Sequence, residues 1–155
     1  MYRQIDSVIL GGVYEITLDS VDCENGQQTW IYTVTELDGQ DISSWALQIC
    51  EDAEVESSTP QAIVEDPNTG QGLGNCFNIN NEDGCFVGSS EPVVLKQAKW
   101  NIESSFTTGT FEFTLDDCYE IGDVYVAVKS GNNCFCGMIQ GPICSDSVGR
   151  GILFI

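Results

Sequence analysis

The residues best suited to chemistry in this chain are its eight cysteines. An even number of cysteines spread over 155 residues is typical of a disulfide framework formed in an oxidising environment. They are Cys23, Cys50, Cys76, Cys85, Cys118, Cys134, Cys136 and Cys144. Because the cytosol keeps thiols reduced, the set predicts an extracellular or spore-surface location.

One pairing and one side-chain orientation can be predicted from neighbouring cysteines. Cys76 and Cys85 flank a short acidic segment, so we expect a local disulfide between them. Cys134 and Cys136 are interpreted as lying on one strand and facing opposite ways, so that one could bond outside the core, to a loop or to another molecule. Eight cysteines allow many connectivities, and the sequence does not choose among the others.

Beyond disulfide formation, the sequence gives little indication of catalytic or metal-binding chemistry. The chain has no histidine, the commonest general base and nitrogen ligand of zinc. It also lacks a Gly-x-Ser-x-Gly elbow and a phosphate-binding loop, and Cys134 and Cys136 are too close in sequence for a structural zinc pair. We therefore predict a protein that is not an enzyme, with no catalytic, cofactor-binding or metal-binding residues.

Calcium is the one cofactor kept as an alternative. Three acid-rich segments, at residues 51–54, 65–68 and 80–83, offer hard oxygen ligands. None has the spacing of a helix-loop-helix calcium site. Solvated loop charge is the preferred interpretation, and a surface calcium site is the weaker one.

The charge is strongly acidic: 24 Asp and Glu against 5 Lys and Arg give a net charge of −19. Such a surface repels phosphate backbones, so no nucleic-acid partner is predicted. No apolar run is long enough for a signal peptide or a membrane span. Removal of a leader, export by another route and assembly inside a cell that later lyses are all left open.

The elements that must position the cysteines are strands. Apolar residues alternate with polar ones in segments 13–19, 28–37, 42–50, 110–115 and 123–129, with further candidates at 134–140 and 151–155. Short strands separated by Gly-rich and Asn-rich turns predict an all-β, antiparallel two-sheet β-sandwich, either Ig-like or jelly-roll-like. Only residues 93–102 suggest a helix, and Trp100 within them is predicted to be a satellite core residue rather than an exposed one.

The predicted domain organisation is one sandwich over residues 1–155. It has an N-terminal arm at 1–12, a decorated loop at 51–90 with short strands at 62–64 and 77–80, and an apolar C-terminal strand at 145–155. The last four residues are all large and apolar: Ile152, Leu153, Phe154 and Ile155. They are expected either to complete their own sheet or to add a strand to a neighbouring subunit. The N-terminal apolar residues Ile5, Val8, Ile9 and Leu10 are predicted to take part in the same assembly.

Five segments resemble a known module. They are TWIYTVTE at 29–36, DISSWAL at 41–47, TGTFEFTL at 108–115, VYVAVKSG at 124–131 and GMIQGPIC at 137–144. Together they are similar to a β-sandwich module of surface and spore-associated proteins of Gram-positive bacteria. The cysteine-rich loop, the additional Cys134 and Cys136, and the apolar end depart from that module. These additions resemble, in style, the covalently stabilised pilus-like appendages of bacterial endospores. The resemblance implies the fold, and it assigns no catalytic or binding residue.

Two functions of different classes follow. The first is a structural, self-assembling subunit of an extracellular or spore-surface fibre, stabilised by disulfides and by terminal strand complementation. Its partners would be copies of itself and an anchor on the cell surface or spore coat. The alternative is a monomeric extracellular binding or adhesion module that uses the loop at residues 51–90.

Overall fold

The computed structural model describes residues 5–69 and 72–144. These residues form ten strands and a short 3-10 helix at Gly72–Gly74. The strands make two antiparallel five-stranded sheets that face each other. The all-β, two-sheet prediction is therefore confirmed.

The first sheet has the order β1, β2, β3, β8, β5. Its strands are β1 at Asp6–Leu10, β2 at Tyr14–Glu24, β3 at Gln27–Glu36, β5 at Val55–Thr59 and β8 at Thr108–Leu115. The second sheet has the order β10, β9, β4, β7, β6. Its strands are β4 at Ser44–Gln48, β6 at Ile63–Glu65, β7 at Gln97–Asn101, β9 at Glu120–Ser130 and β10 at Asn133–Ile143.

The core fills the space between the sheets with the apolar residues that alternate along each strand. The first sheet contributes Tyr14, Ile16, Leu18, Trp30, Tyr32, Val34, Phe111, Phe113 and Leu115, and the second contributes Trp45, Leu47, Trp100, Val124, Val126 and Val128. Trp45 and Trp100 stack with their ring centroids 4.7 Å apart. The predicted alternation thus becomes the inner face of both sheets.

Three local predictions need correction or refinement. The segment with helix evidence, 93–102, contains strand β7, and Trp100 on that strand is only 1% exposed and belongs to the main core. Residues 77–80 form turns rather than a strand, because the backbone N–H groups of residues 78–80 donate to acceptors within the 51–90 loop. The predicted strand at 62–64 is present as β6. The C-terminal strand at 145–155 lies outside the described residues.

The predicted N-terminal arm is instead an edge strand. β1 pairs with β2 from Asp6 opposite Leu18 to Leu10 opposite Tyr14. Leu10 is buried in the core and Val8 packs against it, whereas Ile5 and Ile9 are 45% and 50% exposed. Two of the four predicted assembly residues therefore serve their own sandwich.

The sandwich has two sides at which the edge strands of its sheets lie, and these two sides are closed to different degrees. On one side β1 lies against β10: Leu10 packs over Gly137, and the backbone N–H of Gln140 donates to the Asp6 carboxylate at 2.9 Å. On the other side β5 and β6 leave a groove of about 320 Å³. Its apolar lining is Val55, Ala62 and Val64. The β5–β6 side is the less closed of the two.

Candidate functional site

All eight cysteines form disulfides within the chain. The pairs are Cys23–Cys118, Cys50–Cys144, Cys76–Cys134 and Cys85–Cys136. Each closes a long stretch of chain, with sequence separations from 51 to 95 residues. In the chain-entropy description, closing loops of this length stabilises a fold by roughly 4 kcal/mol per bridge.

The predicted local bridge between Cys76 and Cys85 is wrong. These two residues are neighbours, since the N–H of Cys85 donates to the carbonyl of Cys76 at 2.9 Å, but each sulfur bonds to strand β10 instead. The prediction that Cys134 and Cys136 face opposite ways is also wrong. Residues two apart on a strand share a face, so both sulfurs reach the outer side of the second sheet while Phe135 between them points inward to the core.

These two bridges hold a third layer on the sandwich. We call residues 72–94 the cap. Its buried side chains Phe77 and Val94 pack against Ala46 and Ala127, which lie on the outer face of β4 and β9. The ring of Phe86 meets Tyr125 edge-on at a centroid distance of 4.8 Å. The second sheet is thus covered on both faces.

The cap is built from consecutive turns that begin at asparagines. The N–H of Asn78 donates to the carbonyl of Asn75, that of Asn81 to Asn78, and that of Gly84 to Asn81. Asn78 and Asn81 brace their own turns through side-chain oxygens, which accept from the N–H groups two residues ahead. This bonding is characteristic of asparagine in turns. It explains how a segment with little regular structure stays ordered.

Asn75 uses its side chain differently, and a polar cluster results. Its Oδ1 accepts from Gln97 Nε2 at 3.1 Å and from Lys99 Nζ at 3.2 Å, and its Nδ2 donates to Glu65 Oε2 at 3.4 Å. Gln97 and Lys99 share the outer face of β7, and Glu65 lies opposite Gln97 on β6. We call Glu65, Asn75, Gln97 and Lys99 the amide cluster.

Two members of the amide cluster are shielded from water, and the other two, Glu65 and Lys99, are half-buried. Asn75 is 5% exposed and Gln97 is fully buried, and the Oε1 atom of Gln97 has no hydrogen-bond partner among the described residues. Burial lowers the pKa of Lys99, and the nearby Lys129 lowers it further, while Glu65 opposes both effects. Burial disfavours the ammonium form, so this lysine gives up its proton more readily than an exposed one.

Lys99 and Lys129 are two of the five basic residues of this acidic chain, and both lie beneath the cap. Lys129 Nζ donates to the carbonyl of Gly74 at 3.0 Å. The two lysines thus hold adjacent cap residues, Gly74 and Asn75. The two positive charges repel each other, and the carboxylate of Glu65 offsets this repulsion at Lys99.

The other predicted site residues are not brought together. Within the described residues, one group of Cys and acidic side chains has metal-ligand proximity: Cys50, Asp52 and Cys144. The two sulfurs of that group are bonded to each other, which leaves a single carboxylate. In two of the acid-rich segments, Asp66 and Asn81 accept hydrogen bonds from their own turns. A surface calcium site stays a prediction. The terminal assembly residues Ile152, Leu153, Phe154 and Ile155 lie outside the described residues.

The sequence carried signals for the cap that periodicity alone does not reveal. Asparagines at 75, 78 and 81 recur at the spacing of the turns. The run 124–128 is apolar at every position, which is typical of a strand covered on both faces. The amide cluster joins β6, β7 and the cap, so nothing in the local sequence indicates it.

Comparisons with protein-family models, with curated proteins and with solved structures give no match to the chain. None of the described residues forms a helix long and apolar enough to cross a membrane. The four disulfides are typical of an extracellular or otherwise oxidising location.

Proposed function

We propose that the protein is a structural, self-assembling subunit of an extracellular or spore-surface fibre. In this proposal the apolar segment 152–155 of one subunit adds a strand to the β5–β6 side of the next. The observation that carries it is the groove on that side, between two edge strands. An open sheet edge beside a groove with both apolar and polar lining residues is the kind of surface that accepts a strand from another chain.

The distribution of cross-links supports a durable structural role. Among the described residues, twenty-two buried ones already form one core across both sheets, so the bridges are not substitutes for a missing core. Cys50–Cys144 ties the chain immediately before residue 145 to the loop after β4. A segment donated from beyond Cys144 would therefore transmit force to the body of the subunit through a covalent bond.

The acidic charge supports assembly through apolar contact rather than through ion pairs. Subunits of charge −19 repel one another at low salt, and repulsion between exposed charges weakens as ions screen it. Strand addition that buries apolar residues is not weakened in this way. The proposal therefore expects longer fibres as the salt concentration rises.

Electron microscopy and sedimentation of the purified protein test the proposal. Full-length protein at high concentration should form fibres, and deletion of residues 152–155 should leave folded monomers. S57K, on the exposed edge strand β5, should shorten or abolish fibres, because a lysine on an edge disfavours strand addition. S90K makes the same change at an exposed cap position and should leave them intact.

Compact monomers of the full-length protein under all salt conditions would overturn the fibre and favour the monomeric binding module. Global unfolding on deletion of 152–155 would show that the segment belongs to its own core. Equal effects of S57K and S90K would remove β5 as the acceptor edge.

A further inference from the structure

The amide cluster places a lysine amine against an asparagine amide, with a carboxylate on the same amide. Lys99 Nζ lies 3.2 Å from Asn75 Oδ1, and Glu65 Oε2 lies 3.4 Å from Asn75 Nδ2. We propose that Lys99 and Asn75 react to form an intramolecular isopeptide bond, with release of ammonia. This modification is independent of the fibre, since all of its groups belong to one chain.

The reaction exchanges one amide for another and needs no oxidant. Lys99 Nζ, as the neutral amine, attacks Cγ of Asn75, the Nζ–Cγ bond forms and the Cγ–Nδ2 bond breaks. The amine has lost one proton to solvent before it attacks. In the tetrahedral intermediate, where both nitrogens are bonded to Cγ, Glu65 takes one proton from Nζ and delivers it to the leaving Nδ2, and the released ammonia takes up one proton from solvent. Overall, one lysine ammonium and one asparagine amide become one secondary amide and one ammonium ion.

Each neighbour has a defined part in this step. Gln97 Nε2 donates to Asn75 Oδ1 at 3.1 Å, where negative charge develops when the amine attacks. Glu65 contacts the leaving nitrogen and can relay protons as a general acid and base. The lowered pKa of Lys99, caused first by burial, increases the fraction of nucleophilic amine.

The fold holds the two reacting groups in place. Asn75 directly precedes Cys76, which is bonded to Cys134 on β10. Lys99 lies within β7, between β4 and β6 of the second sheet. Fixing an amine against an amide in this way makes an intrinsically slow reaction effectively intramolecular.

Comparable residues lack one of the required features. Asn78 and Asn81 use their side chains within the cap, donating to backbone carbonyls and accepting from the turns that they start. Lys129 and Lys96 donate to backbone carbonyls, of Gly74 and Ala53, rather than to a side-chain amide. Among the described lysines and asparagines, the chemistry is therefore specific to Lys99 and Asn75.

Intact mass spectrometry after reduction and alkylation tests the bond. The protein should be lighter by one ammonia than the mass expected for its sequence with eight alkylated cysteines. After trypsin digestion, residues 4–96, which contain Asn75, should remain joined to residues 97–129, because a linked Lys99 is not cleaved. This joined peptide distinguishes the cross-link from ammonia loss at any other asparagine.

Variants distinguish a covalent bond between Lys99 and Asn75 from a hydrogen bond between them. K99R and N75A should restore the full mass, and K129R, the matched control beneath the same cap, should keep the loss of ammonia. E65Q should slow the linkage on the order of 10²-fold, the usual contribution of a general acid or base. An unmodified full mass for the native protein, or a mass loss that persists in K99R, would overturn the proposal.

Discussion

The outer faces of the two sheets are opposites. On the first sheet, threonines pair across strands in half-buried to exposed positions: Thr29 with Thr114, which are half-buried, and Thr35 with Thr108 near the surface, each pair at 2.9 Å. On the second sheet, the corresponding face carries alanines buried beneath Phe77 of the cap. Both sheets show the same inward alternation, so what distinguishes them is only the residue type on the outward positions. The type of residue at the outward positions therefore indicates which sheet is covered by a further layer.

The largest expected effect on the free energy of unfolding comes from a single glutamate on the outer face of the second sheet, compared with one on the outer face of the first. A127E should destabilise the protein by about 4 kcal/mol or displace the cap, because it buries an unpaired carboxylate in a packed layer. T110E, on the open face of β8, should change the free energy of unfolding by less than about 0.5 kcal/mol. Chemical denaturation measures both, and equal costs would contradict a covered second sheet.

The next effect concerns the bridges that hold the cap. C85S/C136S should cost about 2–4 kcal/mol and expose the cap while the sandwich stays folded. The cap contains no lysine or arginine, so chymotrypsin, with Phe77 and Phe86 as sites, is the suitable protease. C23S/C118S removes a bridge on the other side of the molecule and should leave the cap resistant. Rapid cleavage at Phe77 and Phe86 in both variants would show that the cap is not held locally.

The sequence predicts the first of these regions far better than the second. Strands β2, β3 and β8 alternate cleanly, and their inward residues are those that form the core. By contrast, an alanine such as Ala46 or Ala127 fits either a solvent-facing or a covered position. Only the packing of Phe77 against these alanines shows that they are covered. Residue spacing indicates local pairing, whereas the cap is held by disulfides between residues 51 and 58 positions apart.

The same limit explains the errors in the candidate site. Cys76 and Cys85 are close in sequence and in space, yet β10 offers both sulfurs a partner on one face, which no local pattern could show. The amide cluster likewise depends on the register that sets Glu65 opposite Gln97. The sequence predicts the sandwich and the presence of disulfides, whereas the pairing of the cysteines depends on the tertiary arrangement of the strands and the cap.

The smallest expected effect on stability comes from an exposed carboxylate next to the first sheet, where solvent screens its charge. Asp116, which follows β8, accepts from the backbone N–H of Glu54 at 3.0 Å and from the hydroxyl of Tyr119 at 2.8 Å. The bond from Glu54, with that from Tyr119, holds the pKa of Asp116 below its ordinary value of 3.8. A carboxyl with a lowered pKa stabilises the fold above that ordinary value, and the stabilisation is lost as pH falls through the folded-state pKa.

D116N should therefore cost no more than about 0.5–1 kcal/mol at neutral pH, because the group is almost fully exposed and screened by solvent. The difference from the parent protein should shrink as the pH is lowered below 3.8 and vanish once Asp116 is protonated in both states. Unfolding free energies measured across this range check the sign. A cost that is independent of pH would mean that Asp116 acts through its shape and not its charge. A cost as large as that of A127E would erase the contrast between an open and a covered face.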